Sequence, residues 1–211
     1  EKDEVISIAG LGHWPKSANL SLFENQYNGT IPLGLLRTVV PAAPDAWITV
    51  LKNYGTMSFG EVASSAIKYA REGITVHPTM SKFLSRYQEN YRMWPSNSNI
   101  WQKNGHPLEV GDLLIQTDLA ATIQFMADQE AAAMKGGREK GLQAARDAFY
   151  VGDIASKIVK YHKENGGLLT ADDMASYRTP IEKPLSISFR GTEVYSCRPW
   201  CQGPVLLQML N

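Results

Sequence analysis

The chain has 211 residues, with 21 basic and 21 acidic side chains and therefore no formal net charge at pH 7. This balance, without any basic run longer than a pair, argues against nucleic acid or an anionic membrane as the main partner. The apolar residues form short periodic groups, none near the roughly 20 consecutive residues of a membrane-spanning helix, so no transmembrane helix is predicted.

The first 37 residues are predicted to be rich in loops, with one short strand. An alternating segment at 4–10, EVISIAG, predicts the strand. The stretch that overlaps its end, AGLGHWPKSA at 9–18, is typical of neither a helix nor a strand. Asn28-Gly29 then marks a tight turn.

Residues 38–179 are predicted to form a helical layer. Its first segment, 39–55, carries Pro44 in the first turn and stops at Gly55. In the next segment, 57–73, Ser58 and Glu61 have the spacing of a capping box. Residues 78–94 continue the helical period, and 95–112 are rich in turn formers, which predicts a loop or a short hairpin.

The second half of this layer is predicted as three helices separated by polar chain. A helix capped by Asp118 covers 118–134, a polar linker covers 135–146, a longer helix covers 147–167, and Thr170 with Asp173 starts a short helix. We interpret the segment 130–146, EAAAMKGGREKGLQAAR, as a surface excursion or, alternatively, as a contact in a higher homo-oligomer.

Residues 180–211 change the pattern to a period of two. The segment 185–197 predicts a hairpin that turns at Arg190-Gly191, and the apolar run at 203–211 predicts the start of a helix. Two strands alone are marginally stable in water, so the hairpin is expected to pack on other chain. The prediction is one incomplete α+β domain over 1–211. The absence of an initiator Met and the end within an apolar run suggest truncation or processing at both ends.

No residue pattern by itself identifies a reaction. A Gly-x-Ser-x-Gly nucleophile elbow is absent, and AGLGHWP has Gly-x-Gly without the third glycine of a dinucleotide loop. The four histidines lack the i, i+4 spacing of a helical metal pair. We expect His77, His106 and His162 to be surface or turn residues, whereas His13 stands beside glycine and tryptophan and is less easily dismissed.

The cysteines and paired acids also have ordinary explanations. A disulfide between Cys197 and Cys201 would be strained, and sequence spacing supplies no metal-ligating partners, so both are expected to be unpaired or structural. Asp172 and Asp173 lie in the first turn of a predicted helix, where negative charge is favoured, so capping outranks acid–base chemistry.

Five segments in order resemble the large chain of the gamma-glutamyltranspeptidase family: NYGTMSFGEVASSAIKYAREGITV, GHPLEVGDLLIQTDLAATI, DAFYVGDIASKIV, NGGLLTADDMASYR and PLSISFRGTEVYSCRPWCQGPVLLQMLN. The resemblance runs from about residue 38 to the last residue. It implies an internal segment of the large chain of an N-terminal nucleophile hydrolase. The implied fold is an αββα sandwich that is completed by chain not present here.

The resemblance also implies a mechanism. A precursor cuts itself into a large and a small chain, and the new N-terminal threonine of the small chain attacks an amide with help from its own amino group. We therefore expect no catalytic residue within 1–211. The implied partners are the small chain and a small-molecule amide, without a redox cofactor, nucleotide or metal. The resemblance favours a periplasmic or extracellular location without fixing the compartment.

One short motif departs from the family pattern. Family members that act on gamma-glutamyl compounds carry a segment close to Asp-Gly-Arg-Glu-x-Ala-Pro, whose arginine pairs with the substrate carboxylate. Counting back from Pro15 aligns this segment with residues 9–15 and puts Leu11 at the arginine position. Leucine cannot form a bidentate pair with a carboxylate. We expect Leu11, His13 and Trp14 to contact a substrate with an apolar or differently charged acyl part.

The leading hypothesis is thus an amidohydrolase or acylase of this family that is not specific for gamma-glutamyl groups. One alternative is a true gamma-glutamyltransferase or glutathione hydrolase in which His13 or Lys16 supplies the cation from a shifted position. The other is a non-catalytic homologue that acts as a structural or binding module.

Overall fold

The structure, a computed structural model, describes residues 4–211 as mostly α-helix with four two-stranded antiparallel sheets. This is the α+β class that the sequence predicts. The helices are α1 Leu20–Tyr27, α2 Ala43–Tyr54, α3 Phe59–Glu72, α4 Pro78–Arg86, α5 Gln88–Arg92, α6 Pro95–Trp101, α7 Thr117–Ala133, α8 Arg138–Tyr150, α9 Asp153–Glu164, α10 Ala171–Ser176 and α11 Gly203–Leu210. The strands are β1 Ser7–Ile8, β2 Ile74–Thr75, β3 Gln102–Lys103, β4 His106–Pro107, β5 Leu113–Leu114, β6 Ile181–Glu182, β7 Leu185–Phe189 and β8 Thr192–Ser196.

Pairing between strands joins distant parts of the chain. β1 pairs with β6, so that Ser7 lies opposite Glu182, and the predicted hairpin is the pair β7–β8. Its turn residues, Arg190 and Gly191, have φ angles of 51° and 81°. No helix within residues 4–211 has both the length and the apolar character needed to cross a membrane.

Local capping signals place several helix ends as predicted. The hydroxyl of Ser58 accepts a hydrogen bond from the N–H of Glu61, and the Glu61 carboxylate accepts from the N–H of Ser58, which completes the capping box of α3. Thr170 and Asp173 form the equivalent pair at α10. Gly55 follows the last residue of α2. These signals act within one turn of chain, which is why the sequence reveals them.

The predicted polar linker at 135–146 and the surface excursion at 130–146 are wrong. Helix α8 begins at Arg138 and runs through the middle of the core, where Leu142, Ala145 and Tyr150 are fully buried. It packs against α7, α2 and α9, and α7 packs in turn against α3. The buried face of α8 also includes Gly141, Arg146 and two alanines, so the apolar periodicity is weak in the part of the helix that was predicted to be a linker.

Two residues of that segment explain how tightly it packs. Glu130 is only 2% exposed, and its carboxylate accepts hydrogen bonds from the backbone N–H groups of Phe59 and Gly60 at 2.7 and 2.8 Å. The glycine at 141 leaves room for this arrangement, because a Cβ there would lie 3.2 Å from Cγ of Glu130. Two charged residues of this segment, Glu130 and Arg146, are therefore buried in the core, whereas Lys135, Glu139, Lys140 and Gln143 remain exposed.

Five further features differ from the prediction. Helix α1 lies within the region expected to be loop, and its signal is Asn19, whose side chain accepts from the N–H of Leu22. Helix α6 precedes the β3–β4 hairpin where only loop or hairpin was expected, and the helical segments 78–94 and 147–167 are each divided in two. Asp118 lies in the first turn of α7 rather than at its cap, since Gln116 precedes the helix.

A buried ion pair links α2, α8 and the chain that leads to β6. Asp45 and Arg146 are 2% and 5% exposed, and Nε of Arg146 donates to the carboxylate of Asp45. The other oxygen of that carboxylate accepts from the backbone N–H of Thr179 at 2.7 Å. Nη2 of Arg146 donates to the carbonyl of Tyr177. The pair therefore fixes the backbone at 177–179 from inside the core.

Tyr150 completes this network. Its hydroxyl accepts from the N–H of Asp45 at 3.1 Å and donates to the carbonyl of Pro41 at 2.6 Å. The guanidinium of Arg146 lies 4.8 Å from the centre of the Tyr150 ring. Burial raises the pKa of Tyr150 far above its ordinary value, so the phenol stays protonated and able to donate.

The replacement Asp45→Asn is expected to lower the free energy of unfolding by about 3–5 kcal/mol, because it leaves a buried guanidinium without its counter-charge. Urea unfolding of the purified protein measures this loss. The control is Glu164→Gln, which breaks the exposed Lys160–Glu164 pair at 3.9 Å and should cost less than about 0.5 kcal/mol. Equal effects of the two replacements would show that the buried pair does not hold the core together.

The structure corrects one of the histidine predictions. His77 and His106 are exposed, as expected, and His77 caps α4 by accepting from the N–H of Met80. His162 is instead 3% exposed, and its Nδ1 accepts from the N–H of Leu169 at 3.4 Å. It lies at the end of α9, where the returning chain at Gly167 covers its ring. The sequence does not indicate this burial, because Lys160 and Lys163 stand close to His162 and suggest an exposed position.

Burial lowers the pKa of His162 below its ordinary value. The unfolded chain therefore takes up this proton at a higher pH than the folded protein does, so stability is full above about pH 6.5 and falls on acidification below it. Urea midpoints at pH 7.5 and pH 5.5 should differ more in the wild-type protein than in His162→Gln. The exposed control, His106→Gln, should keep the wild-type difference. An unchanged pH dependence in His162→Gln would contradict this assignment.

Candidate functional site

Residues 9–17, called the Leu11 loop below, are irregular in conformation but firmly attached to the core. The N–H of Ala9 donates to the carbonyl of Pro180 at 3.0 Å and so extends the β1–β6 pairing. The carbonyl of His13 accepts from the N–H of Val40 at 2.9 Å. The loop is thus bound both to the chain after α10 and to the chain before α2.

A third attachment comes from the cap of α10. The N–H of Lys16 donates to Oδ1 of Asp173 at 2.9 Å, while the hydroxyl and N–H of Thr170 bind Oδ2. Burial by itself would raise the pKa of Asp173, but these hydrogen bonds outweigh it and lower the pKa. The capping role predicted for Asp173 is confirmed, and the same carboxylate also holds the loop.

Gly12 lies where the loop backbone comes closest to its support. A Cβ at this position would be 1.8 Å from the carbonyl oxygen of Val40, a distance that no side chain can accommodate. The neighbouring Gly10 has space, since a Cβ there would lie 3.4 Å from Cβ of Ala46. Only position 12 therefore requires glycine, because the loop backbone approaches Val40 closely there, whereas position 10 has room for a Cβ.

Leu11 presents its side chain to the surface between these attachments. Its carbonyl accepts from the hydroxyl of Tyr177 at 3.2 Å, and the residue is 49% exposed. Tyr177 is buried, and burial raises its pKa, so the phenol remains a donor at neutral pH. A fixed backbone with an exposed aliphatic side chain offers an apolar contact at Leu11, the residue that the sequence motif predicts at the arginine position.

His13 and Trp14 point their rings at different neighbours. The ring of His13 lies edge-on to Tyr177, with centroids 5.5 Å apart, and the residue is exposed. Trp14 packs edge-on to Phe23 with centroids 6.0 Å apart and is 44% exposed. The structure thus brings Leu11 and His13 together at Tyr177 and turns Trp14 toward α1.

Trp14 lines two adjacent surface grooves, of about 530 and 260 Å³. Ile31 lines both of them as well, so the two side chains separate the grooves. Arg37 lines the larger groove and Phe23 the smaller. Sequence reasoning singled out neither Arg37 nor Tyr177, because each reaches the loop from a distant part of the chain and belongs to no local motif.

Lys16 is occupied by a surface ion pair. Its ammonium binds the carboxylate of Asp172, with both side chains largely exposed, and this hydrogen bond raises the pKa of Lys16. Within residues 4–211, no three His, Cys, Asp or Glu side chains are grouped so that they could hold a metal ion. Cys197 and Cys201 are free thiols, and Sγ of Cys201 accepts from the N–H of Gly203 at 3.3 Å.

Comparison with known proteins gives consistent matches over this chain. The sequence model described as gamma-glutamyltranspeptidase matches residues 1–211. The glutathione hydrolase proenzyme of Escherichia coli (strain K12) is 32% identical over 178 residues, which are 83% of this chain and 28% of that protein.

Two solved structures are similar over nearly the whole chain. LmbA2991HD matches with a TM-score of 0.87 and 30% identity, covering 98% of this chain and 37% of that one. The cephalosporin acylase from Bacillus halodurans matches with a TM-score of 0.80 and 28% identity, covering 100% of this chain and 38% of that one. The chain therefore spans between 28% and 38% of the proteins that it matches here.

The replacement Gly12→Ala is expected to displace the Leu11 loop, because its Cβ cannot fit beside the carbonyl of Val40. Amide hydrogen exchange at residues 9–17 should become at least about tenfold faster, as local opening becomes easier by about 1.4 kcal/mol or more. Gly10→Ala is the matched control and should leave exchange in the loop near the wild-type rate. Equal exchange in both variants would show that the close approach at Gly12 does not hold the loop.

Proposed function

Since the chain belongs to the gamma-glutamyltranspeptidase family, we propose that it is an internal part of the large chain of an amide hydrolase of the acylase or amidohydrolase type. The family match over residues 1–211 and the similarity to a cephalosporin acylase support this proposal. In the proposed protein the described helices form an outer layer of an αββα sandwich, and the remaining layers come from chain outside 1–211.

The proposed nucleophile is a threonine at the start of a separate small chain. The Escherichia coli relative is named a proenzyme, which supports a precursor that is cut into two chains. The threonine hydroxyl adds to the substrate carbonyl while the free α-amino group accepts its proton, the amine leaves, and water then releases the acyl group. Residues 1–211 contribute no group to this covalent chemistry.

The contribution of this chain is one wall of the substrate pocket. The Leu11 loop suits that role because its backbone is bound at Ala9, His13 and Lys16 while the side chains of Leu11, His13 and Trp14 remain exposed. A rigid backbone with accessible side chains keeps the entropy cost of binding low, because little of the loop is ordered when a ligand arrives.

Leu11 is the observation that carries the substrate preference. A buried gamma-glutamyl carboxylate without its arginine would lose about 3–5 kcal/mol, or roughly two to four powers of ten in affinity. Each substitute cation already has another contact, Lys16 in an exposed pair with Asp172 and the ring of His13 edge-on to Tyr177. These contacts favour an amide with an apolar or differently charged acyl part over a true glutathione hydrolase.

A pair of anilides tests this proposal in the matured full-length gene product. We expect kcat/KM for γ-glutamyl-4-nitroanilide to be at least about a hundredfold below that for butyryl-4-nitroanilide, since Leu11 cannot pair with the glutamyl carboxylate. Leu11→Arg should raise the γ-glutamyl value by about tenfold or more and lower the butyryl value. Leu113→Arg, at a position 57% exposed on β5 and outside both grooves, is the matched control and should change neither.

Two outcomes would contradict the proposal in different ways. Faster hydrolysis of the γ-glutamyl anilide than of the butyryl anilide by the wild-type protein would identify a true gamma-glutamyl enzyme with another carboxylate clamp. Failure to hydrolyse either anilide or a wider panel of acyl amides would favour the non-catalytic binding or structural module.

A further inference from the structure

The two grooves beside Trp14 form one apolar shelf with a single charge. The shelf, as the term is used below, consists of Trp14, Leu20, Phe23, Ile31 and Arg37. Among the described residues that line the two grooves, Arg37 alone carries a formal charge. Leu20, Trp14 and Ile31 are 71%, 44% and 37% exposed, so their apolar surface is open to a ligand.

Arg37 is held in place by its own loop. Its Nε and Nη2 donate to the carbonyl of Ile31 at 3.0 and 2.9 Å. Its backbone N–H donates to the carbonyl of Gly34 at 3.0 Å. Gly34 in turn presses against Trp94, since a Cβ there would lie 2.5 Å from the indole. The guanidinium is therefore oriented before any ligand binds.

This orientation leaves one edge of the guanidinium available. The fork formed by Nε and Nη2 faces the carbonyl of Ile31, and no described residue accepts a hydrogen bond from Nη1. The remaining donors on Nη1 and Nη2 point the same way and match the spacing of two carboxylate oxygens. The shelf thus combines a planar anion-binding edge with an aromatic face.

We propose that the shelf is a subsite for a carboxylate that is attached to an apolar or aromatic body. Arg37 pairs with the carboxylate, and Trp14 and Ile31 pack against the body. This inference rests on the proposed function, because it assigns the shelf to one part of the amide substrate. It places the carboxylate at Arg37, in a groove that Leu11 does not line, rather than at the Leu11 position.

The test measures binding without turnover, by fluorine NMR titration of the full-length gene product with 4-fluorobenzoate and with its uncharged isostere, 4-fluorobenzamide. Arg37→Gln should weaken 4-fluorobenzoate binding by about tenfold or more and leave 4-fluorobenzamide unchanged. Arg37→Lys, which keeps the charge but loses the planar fork, should fall between. Trp14→Ala should weaken both probes by a similar factor.

Arg71→Gln, a change of the same type at an exposed position on α3, is the control and should bind both probes like the wild-type protein. An unchanged ratio of the 4-fluorobenzoate and 4-fluorobenzamide affinities in Arg37→Gln would overturn the proposal. If Arg37 only stabilised the conformation of its loop, its replacement would weaken binding of both probes alike. The absence of saturable 4-fluorobenzoate binding to the wild-type protein up to concentrations on the order of 10 mM would also overturn it. Arg37-dependent binding in a protein that hydrolyses no amide would retain the subsite and reject the hydrolase proposal.

Discussion

The structure depends on the buried ion pair between Asp45 and Arg146. Each charge is neutralised by the other and also holds a backbone group, so that α2, α8 and residues 177–179 share one anchor. The Leu11 loop rests on that same stretch, through the Tyr177 hydroxyl and the Pro180 carbonyl. Removing water from two charges is costly, and hydrogen bonds to the remaining donors and acceptors offset part of that cost. Both carboxylate oxygens of Asp45 and the Nε and Nη2 of Arg146 are bonded, whereas the buried Nη1 of Arg146 has no hydrogen-bond partner among the described residues. Here those additional bonds connect the core to the exposed loop.

Glu130 repeats the same principle at the opposite side of the core. A buried carboxylate accepts from the first backbone N–H groups of α3, where unpaired donors and the helix dipole favour negative charge. Asp173 accepts from the N–H of Thr170, the residue before α10, and from the N–H of Lys16 in the loop. Three acidic side chains thus act as interior or near-interior connectors. These three carboxylates have structural roles. The exposed side chains of the Leu11 loop and of the shelf are the ones available to bind a ligand.

The sequence predicted those features that depend on neighbours along the chain. The capping box at Ser58, the β7–β8 hairpin and the α+β class follow from local spacing, and the family resemblance supplied the fold beyond them. Helix α8 was missed because its buried face includes Gly141 and the charged Arg146. The residue types in this segment therefore do not indicate that it is buried. His162 was misjudged for the same reason. Arg37 and Tyr177 reach the candidate site only through tertiary contacts, and Leu11 attracted attention only as a departure from a family motif.

The pairing of β1 with β6 has a consequence for the order of folding. It joins Ser7 to Glu182, so nearly the whole chain must close into a loop before this two-residue ladder forms. The entropy of such closure rises with the logarithm of loop length, and two residues of ladder return little against it. We therefore expect the contacts of residues 9–17 with Asp173, Tyr177 and Pro180 to be acquired after the helices have assembled, since contacts distant in sequence form slowly. The Leu11 loop, which contacts substrate in the proposed function, would then take its final conformation late in folding. A partly folded chain would lack the arrangement of side chains that binding requires.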